Sequence, residues 1–308
     1  MQANPVAARM TALAARVRQT RSFMHHRASS RLQSVAALAA LALSPMAFAL
    51  LYLFAVRTRA GQRLDASAVR LRFVLPKSQF LLAVRMHDWV SVASIAFLGG
   101  AIVLIAFVRQ RPRQALASGV IMVGSMLTSE TIKHTWPRPA RGITDSLGTH
   151  NTFPSGHTTV AMALAVGALV VASPASRRRV APLSALFATA VGSSLVATAS
   201  HRPSDIMGAV IVVVGWVAAV RLVMGPMIVA HSSLKEPDNE ADVHSGGWMT
   251  IGGFVLLLLG FGAAALLILA VHFGRLPAIP IGRSFVAAAS AIGGAVLIAV
   301  ATTVRLLR

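Results

Sequence analysis

His201 and Asp205 stand four residues apart in the stretch SHRPSD, Ser200 to Asp205. That spacing puts an imidazole and a carboxylate on one helical face. Pro203 lies between them and suits a first helical turn but not an interior, so the pair is expected where a helix begins. A carboxylate bound to one imidazole nitrogen fixes the tautomer and makes the other nitrogen the better nucleophile. Taken alone, a boundary histidine and an aspartate capping the next helix is the commoner outcome.

A second cluster, NTFPSGHTT, runs from Asn151 to Thr159. Ser155 is placed to cap the apolar helix that follows, and Gly156 lets the backbone approach a ligand closely. The first N–H groups of such a helix have no internal partner and favour an anion, with His157 beside it on the first turn. The plain alternative is a capped helix with a surface histidine. The third cluster, KHTWPRPAR, runs from Lys133 to Arg141 and supplies cations: Lys133, one of three lysines in the chain, with Arg138 and Arg141. Long basic side chains also snorkel at membrane interfaces, and Glu130, one turn earlier, is a ready partner for Lys133. Cations, a helix N-terminus and two histidines with a carboxylate are together the requirements of phosphoryl transfer. That chemistry needs no metal if cations and N–H groups supply the charge, so the expectation is no cofactor and no metal site.

The elements that must carry these clusters are membrane helices. Hydrophobic residues make up 56% of the 308 and charged residues 12%, with a mean hydropathy of +0.69. Water-covered domains carry about twice that charged fraction. Runs near 36–56, 91–108, 115–132, 157–174, 181–199, 205–224, 247–272 and 284–304 are long and apolar enough to read as eight spans, of which the second and fifth have the least definite edges. In lipid such runs must be helical, because backbone groups have to pair internally.

The net charge of +20 is spread as arginines at the ends of apolar runs rather than as a basic domain interleaved with aromatics. This pattern excludes nucleic-acid binding and suits anchoring beside lipid head groups. The chain has no cysteine, which rules out disulfides, thiolate metal sites and cysteine nucleophiles. Arg109, Arg111 and Arg113, then Arg177, Arg178 and Arg179, mark two loops as cytoplasmic by the positive-inside rule, as does a basic tail over 1–35 that holds no acid. The 57–90 loop is a counterexample, with Arg57, Arg59, Arg63, Arg70, Arg72, Lys77 and Arg85 on the expected outer side. This path puts the 133–156 loop and the 200–204 turn together on the non-cytoplasmic face.

Pro154-Ser155-Gly156-His157, the His201…Asp205 spacing and Lys133 with Arg138-Pro139 resemble the three motifs of the phosphatidic acid phosphatase type 2 superfamily. The resemblance covers about residues 36–224, and Gly61-Gln62-Arg63-Leu64-Asp65 looks like its bacterial members. It implies a six-span phosphatase core (36–224) within an all-α, polytopic membrane helix bundle; the basic cytoplasmic tail (1–35), a cytoplasmic linker (225–246) and two additional transmembrane helices (247–308), read from charge and hydropathy, lie outside it. It also implies that His201 attacks phosphorus to form a phosphohistidine, oriented by Asp205, while His157 protonates the leaving oxygen. Lys133, an arginine and the Ser155–Gly156 region would hold the phosphate.

Two departures stand out. Four residues, not six, separate Lys133 from Arg138, which leaves Arg141 as a second candidate for that role. The arginine of the third motif falls at Leu195, pointing to a slow or specialised enzyme unless neighbouring Arg202 replaces it. The expected partners are membrane lipids and a lipid phosphate or polyprenyl diphosphate substrate, and the expected location is a bacterial plasma membrane. A phosphotransferase using the same site, or a degenerate lipid-phosphate-binding protein, are the alternatives. Nothing in the sequence reads out the oligomeric state.

Overall fold

The computed structural model describes residues 31–88, 92–143, 145–148, 150–229, 240–276 and 278–307. Most of the basic tail (1–30) and most of the acidic linker (230–239) lie outside the described residues. Among the described residues ten helices follow one another: α1 (Arg31–Val56), α2 (Arg59–Val69), α3 (Lys77–Asp88), α4 (Val92–Val108), α5 (Pro112–Thr135), α6 (Gly156–Val171), α7 (Pro174–Ala197), α8 (Pro203–Val229), α9 (Glu240–His272) and α10 (Ile281–Leu306). Among the described residues there is no strand. The protein is an all-α polytopic helix bundle.

Each expected span corresponds to a helix, and among the described residues six are long and apolar enough to cross a membrane: α1, α5, α7, most of α8 and of α9, and α10. The expectation for the fifth span is exceeded, since α7 runs 24 residues from a proline at its first turn. The second and fourth are short, at Ser94–Val108 and Gly156–Val171. A 16-residue helix is about 24 Å long, less than the roughly 30 Å of a hydrocarbon core. α6 tolerates this because nearly all of it is buried among α4, α5, α7 and α8, so its ends meet protein rather than lipid.

The expected 57–90 loop is largely helical over its described residues, 57–88. Thr58 caps α2 by accepting from the Gly61 N–H at 3.0 Å, and α2 folds tightly against the end of α1. A methyl group at Gly61 would lie 2.5 Å from Ala55 Cα, so only glycine allows that approach. Arg177–Arg179 lie in the first turns of α7, not in a loop. Arg177 is buried and donates to the Leu169 and Leu307 carbonyls, while Arg221 donates to the Leu306 carbonyl. These guanidiniums satisfy carbonyls that the C-terminal ends of α6 and α10 leave open.

The last two helices, expected as an addition to a six-span core, are integrated through α10, which packs on α2, α6, α7 and α8. α9 packs mainly on α10, and the contact is made through small residues. A Cβ on Gly260 would lie 2.6 Å from Ala291 N, and one on Gly294 2.6 Å from Gly253 O. Close backbone approach of this kind is how membrane helices associate without a hydrophobic driving force.

Candidate active site

α8 begins at Pro203, so the turn Ser200–Arg202 precedes it and Asp205 falls in its first turn. The Ser200 and His201 N–H groups both donate to the Leu195 carbonyl, at 2.9 and 3.1 Å, which folds the chain back sharply from α7 into α8. His201 Nδ1 then lies 3.5 Å from Asp205 Oδ2. The same carboxylate oxygen accepts from Thr152 Oγ1 (2.5 Å) and from the Arg202 N–H (2.9 Å). Asp205 is fully buried. A carboxylate held by these two hydrogen bonds is kept facing the imidazole.

Ser155 is the N-cap of α6, accepting from the Thr158 N–H at 3.2 Å, and its own N–H donates to the Asp205 carbonyl. This last bond ties the start of α6 to the start of α8 and brings His157 toward His201. Their ring centroids are 5.9 Å apart and the planes meet at 64°. Gly156 is buried, and a Cβ there would lie 3.6 Å from Lys133 Nζ and 3.2 Å from Glu130 Oε1. The α5 lysine therefore stands against the N-terminus of α6, as an anion site requires.

Arg138 and Arg141 take different places. Arg138 reaches Asp65 Oδ2 at 3.0 Å and Asp205 Oδ1 at 3.6 Å, with its side chain 5% exposed. Arg141 is exposed, and its Nε donates to the Arg57 carbonyl at 3.1 Å. Of the two candidates, Arg138 belongs to the cluster around the histidines. Arg202 does not offer a donor to a phosphate, contrary to expectation. Its guanidinium pairs with Asp145 through Nε and Nη2, both at 2.8 Å, and binds the His150 and Gly148 carbonyls and Thr152 Oγ1. Those contacts occupy all five of its N–H groups. Arg202 is a clamp for the 145–152 segment. The Leu195 side chain is fully buried in the apolar core and brings no substitute charge to its position.

Sequence reasoning missed Asp65 as a site residue. It lies on α2 and accepts from Ser204 Oγ (2.6 Å), the Ser204 N–H (3.2 Å) and Arg138. Burial pushes its carboxyl above the usual carboxylate range, against the pull of the adjacent Arg138 guanidinium. One signal was present: Asp65 is an isolated acid in a strongly basic segment. Thr152 and Asp145 carried no such signal.

The loop between α5 and α6 is also pinned from outside. Gln62 donates to the Pro139 carbonyl, Tyr52 to the Pro137 carbonyl at 2.6 Å, and Asn151 to the Lys133 and Trp136 carbonyls. Phe48, Tyr52, Trp136 and Phe153 form an aromatic cluster with centroid spacings of 4.8 to 5.8 Å. Behind it, a cavity of about 400 Å³ lies between α1, α5 and α8, lined by apolar groups that include Leu41, Phe48, Ile132 and Trp216.

Three buried polar atoms of the cluster have no hydrogen-bond partner: His201 Nδ1, Asp205 Oδ1 and Arg138 Nη1. They converge within ion-pair distance without closing into hydrogen bonds. Such groups are costly to bury, and sites that act on charge are where they persist. Among the described residues, no group of three or more His, Cys, Asp or Glu could hold a metal ion.

Residues 89–227, α4 through most of α8, match the family model described as the PAP2 superfamily. Comparison with curated proteins and with solved structures gave no match.

Proposed function

We propose that this multi-pass membrane protein, whose residues 89–227 belong to the PAP2 superfamily, hydrolyses a lipid phosphate or polyprenyl diphosphate through a phosphohistidine, at a site facing away from the cytoplasm of a bacterial plasma membrane. The family is one of phosphatases, and the membrane-spanning helices suit a phosphatase-type fold. The observation that carries the finer reading is the convergence of His201, Asp205 and Arg138 beside His157 and the N-terminus of α6.

In this reading the His201 Nδ1–H faces Asp205, so Nε2 holds the lone pair that attacks phosphorus. Arg138, Lys133 and the first N–H groups of α6 offset the charge on the phosphoryl oxygens. Ser155 contributes by capping that helix rather than by direct contact, since its hydroxyl is buried and accepts from Thr158. His157 gives its proton to the leaving oxygen and then takes one from the water that cleaves the N–P bond. Cations and N–H groups supply the charge compensation that a metal would otherwise provide. The apolar cavity near Trp136 supports a substrate with a hydrocarbon chain.

The test is phosphate release by purified protein against a panel of lipid phosphates and diphosphates with chelator present. Turnover that persists with chelator and falls on the order of 10³-fold or more in His201→Ala is expected. Turnover unchanged in that variant for every active substrate would refute the mechanism.

A further inference from the structure

Glu130 has no part in the mechanism above, yet it stands beside Lys133 at the N-terminus of α6. Its Oε1 is 2.6 Å from Lys133 Nζ and would be 3.2 Å from a Cβ on Gly156, the first residue of α6. Its Oε2 lies 3.9 Å from His134 Nε2. An ordinary i,i+3 pair on a helix surface points into solvent. This one presses against the helix end that favours an anion, and the acid is the more accessible partner, 40% exposed against 22% for the lysine.

A carboxylate bound to an ammonium beside a helix N-terminus occupies the kind of place a phosphate would take. Two anions cannot both keep a close bond to one ammonium without strong mutual repulsion. We propose that Glu130 is a built-in counter-anion: it holds Lys133 until the phosphate of substrate or product displaces it, and so weakens phosphate binding at this site. The inference rests on the phosphatase reading. Its functional sense is release, since an enzyme that holds inorganic phosphate too firmly is inhibited by its own product.

The opposing role is that Glu130 positions Lys133 for phosphate, and the two roles predict opposite signs. The experiment titrates inorganic phosphate against full-length protein in lipid nanodiscs by ligand-induced thermal shift, for wild type, Glu130→Gln, Lys133→Met and the double variant. Counter-anion behaviour gives a phosphate dissociation constant about two- to five-fold lower in Glu130→Gln, the range expected for freeing an exposed ion pair. That gain disappears in the Lys133→Met background. A constant that is unchanged or higher in Glu130→Gln overturns the proposal. If wild type neither binds phosphate nor releases it from any lipid, the phosphatase reading falls and takes the proposal with it. Wild-type binding and turnover without the gain overturns the counter-anion role alone.

Discussion

Replacing Asp65 with asparagine isolates the contribution of a residue that lies outside the matched family segment. The carboxylate accepts three hydrogen bonds: Oδ2 from Ser204 Oγ and Arg138 Nη2, Oδ1 from the Ser204 N–H. An asparagine can face its oxygen toward only one of these sides. With the oxygen at the Oδ2 position, its amide opposes the Ser204 N–H, donor to donor. Turned over, the amide opposes the Arg138 guanidinium instead. Losing a hydrogen bond to a charged group costs about 1.5–3 kcal/mol, and an unpaired buried donor a further 1–3 kcal/mol. Asp205 Oδ1, 3.6 Å from Arg138 Nη1, recovers part of this by drawing the guanidinium toward itself. A net loss of about 2–4 kcal/mol is therefore expected.

The shift also has a catalytic consequence, because Arg138 drawn onto Asp205 competes with His201 for that carboxylate. The assay is a double-mutant cycle of Asp65→Asn and Arg138→Gln, read in parallel as detergent-solubilised unfolding and as phosphate release. Coupling of at least about 1.5 kcal/mol in stability is expected, with activity down about 100-fold or more in each single variant. Additive effects within about 0.5 kcal/mol, or full activity in Asp65→Asn, would refute the reasoning.

Three further outcomes follow from the same geometry. His157→Ala should lose about 10²–10⁴-fold on an alkyl phosphate and far less on nitrophenyl phosphate, whose leaving group needs no proton; equal losses on both would remove the general-acid role. Arg202→Lys cannot reproduce the two-pronged bond to Asp145 and the carbonyl contacts. It should raise KM more than it lowers kcat and cost about 1–3 kcal/mol, and unaltered kinetics would show that the 145–152 segment does not need the clamp. Gly260→Leu should separate α9 from α10, because its Cβ would lie 2.6 Å from Ala291 N. A lowered thermal midpoint corresponding to about 1–3 kcal/mol is expected, and an unchanged midpoint would mean that the close packing is not required.

The membrane character of the chain and the helix starts that carry its histidine clusters are properties of local sequence, and the sequence by itself determined them. Apolar runs of sufficient length have to be helices in lipid, and Ser155 before an apolar run has to cap one. The His201–Asp205 spacing around Pro203 likewise predicted a helix start, where both residues lie. Tertiary structure decided which cations join them. Arg138 and Arg141 differ by three positions and not at all in chemistry. Only the docking of α2, through Asp65 and the Gln62 bond to the Pro139 carbonyl, separates a buried site residue from an exposed one. Arg202, adjacent to His201, was the plausible replacement for the arginine missing at Leu195. Its side chain is turned the other way by Asp145, whose partner is 57 positions distant in sequence. Long-range contacts of this kind leave no periodicity to read. The same is true of α10, whose hydropathy marks a span but whose close packing on α9 depends on small residues meeting across helices.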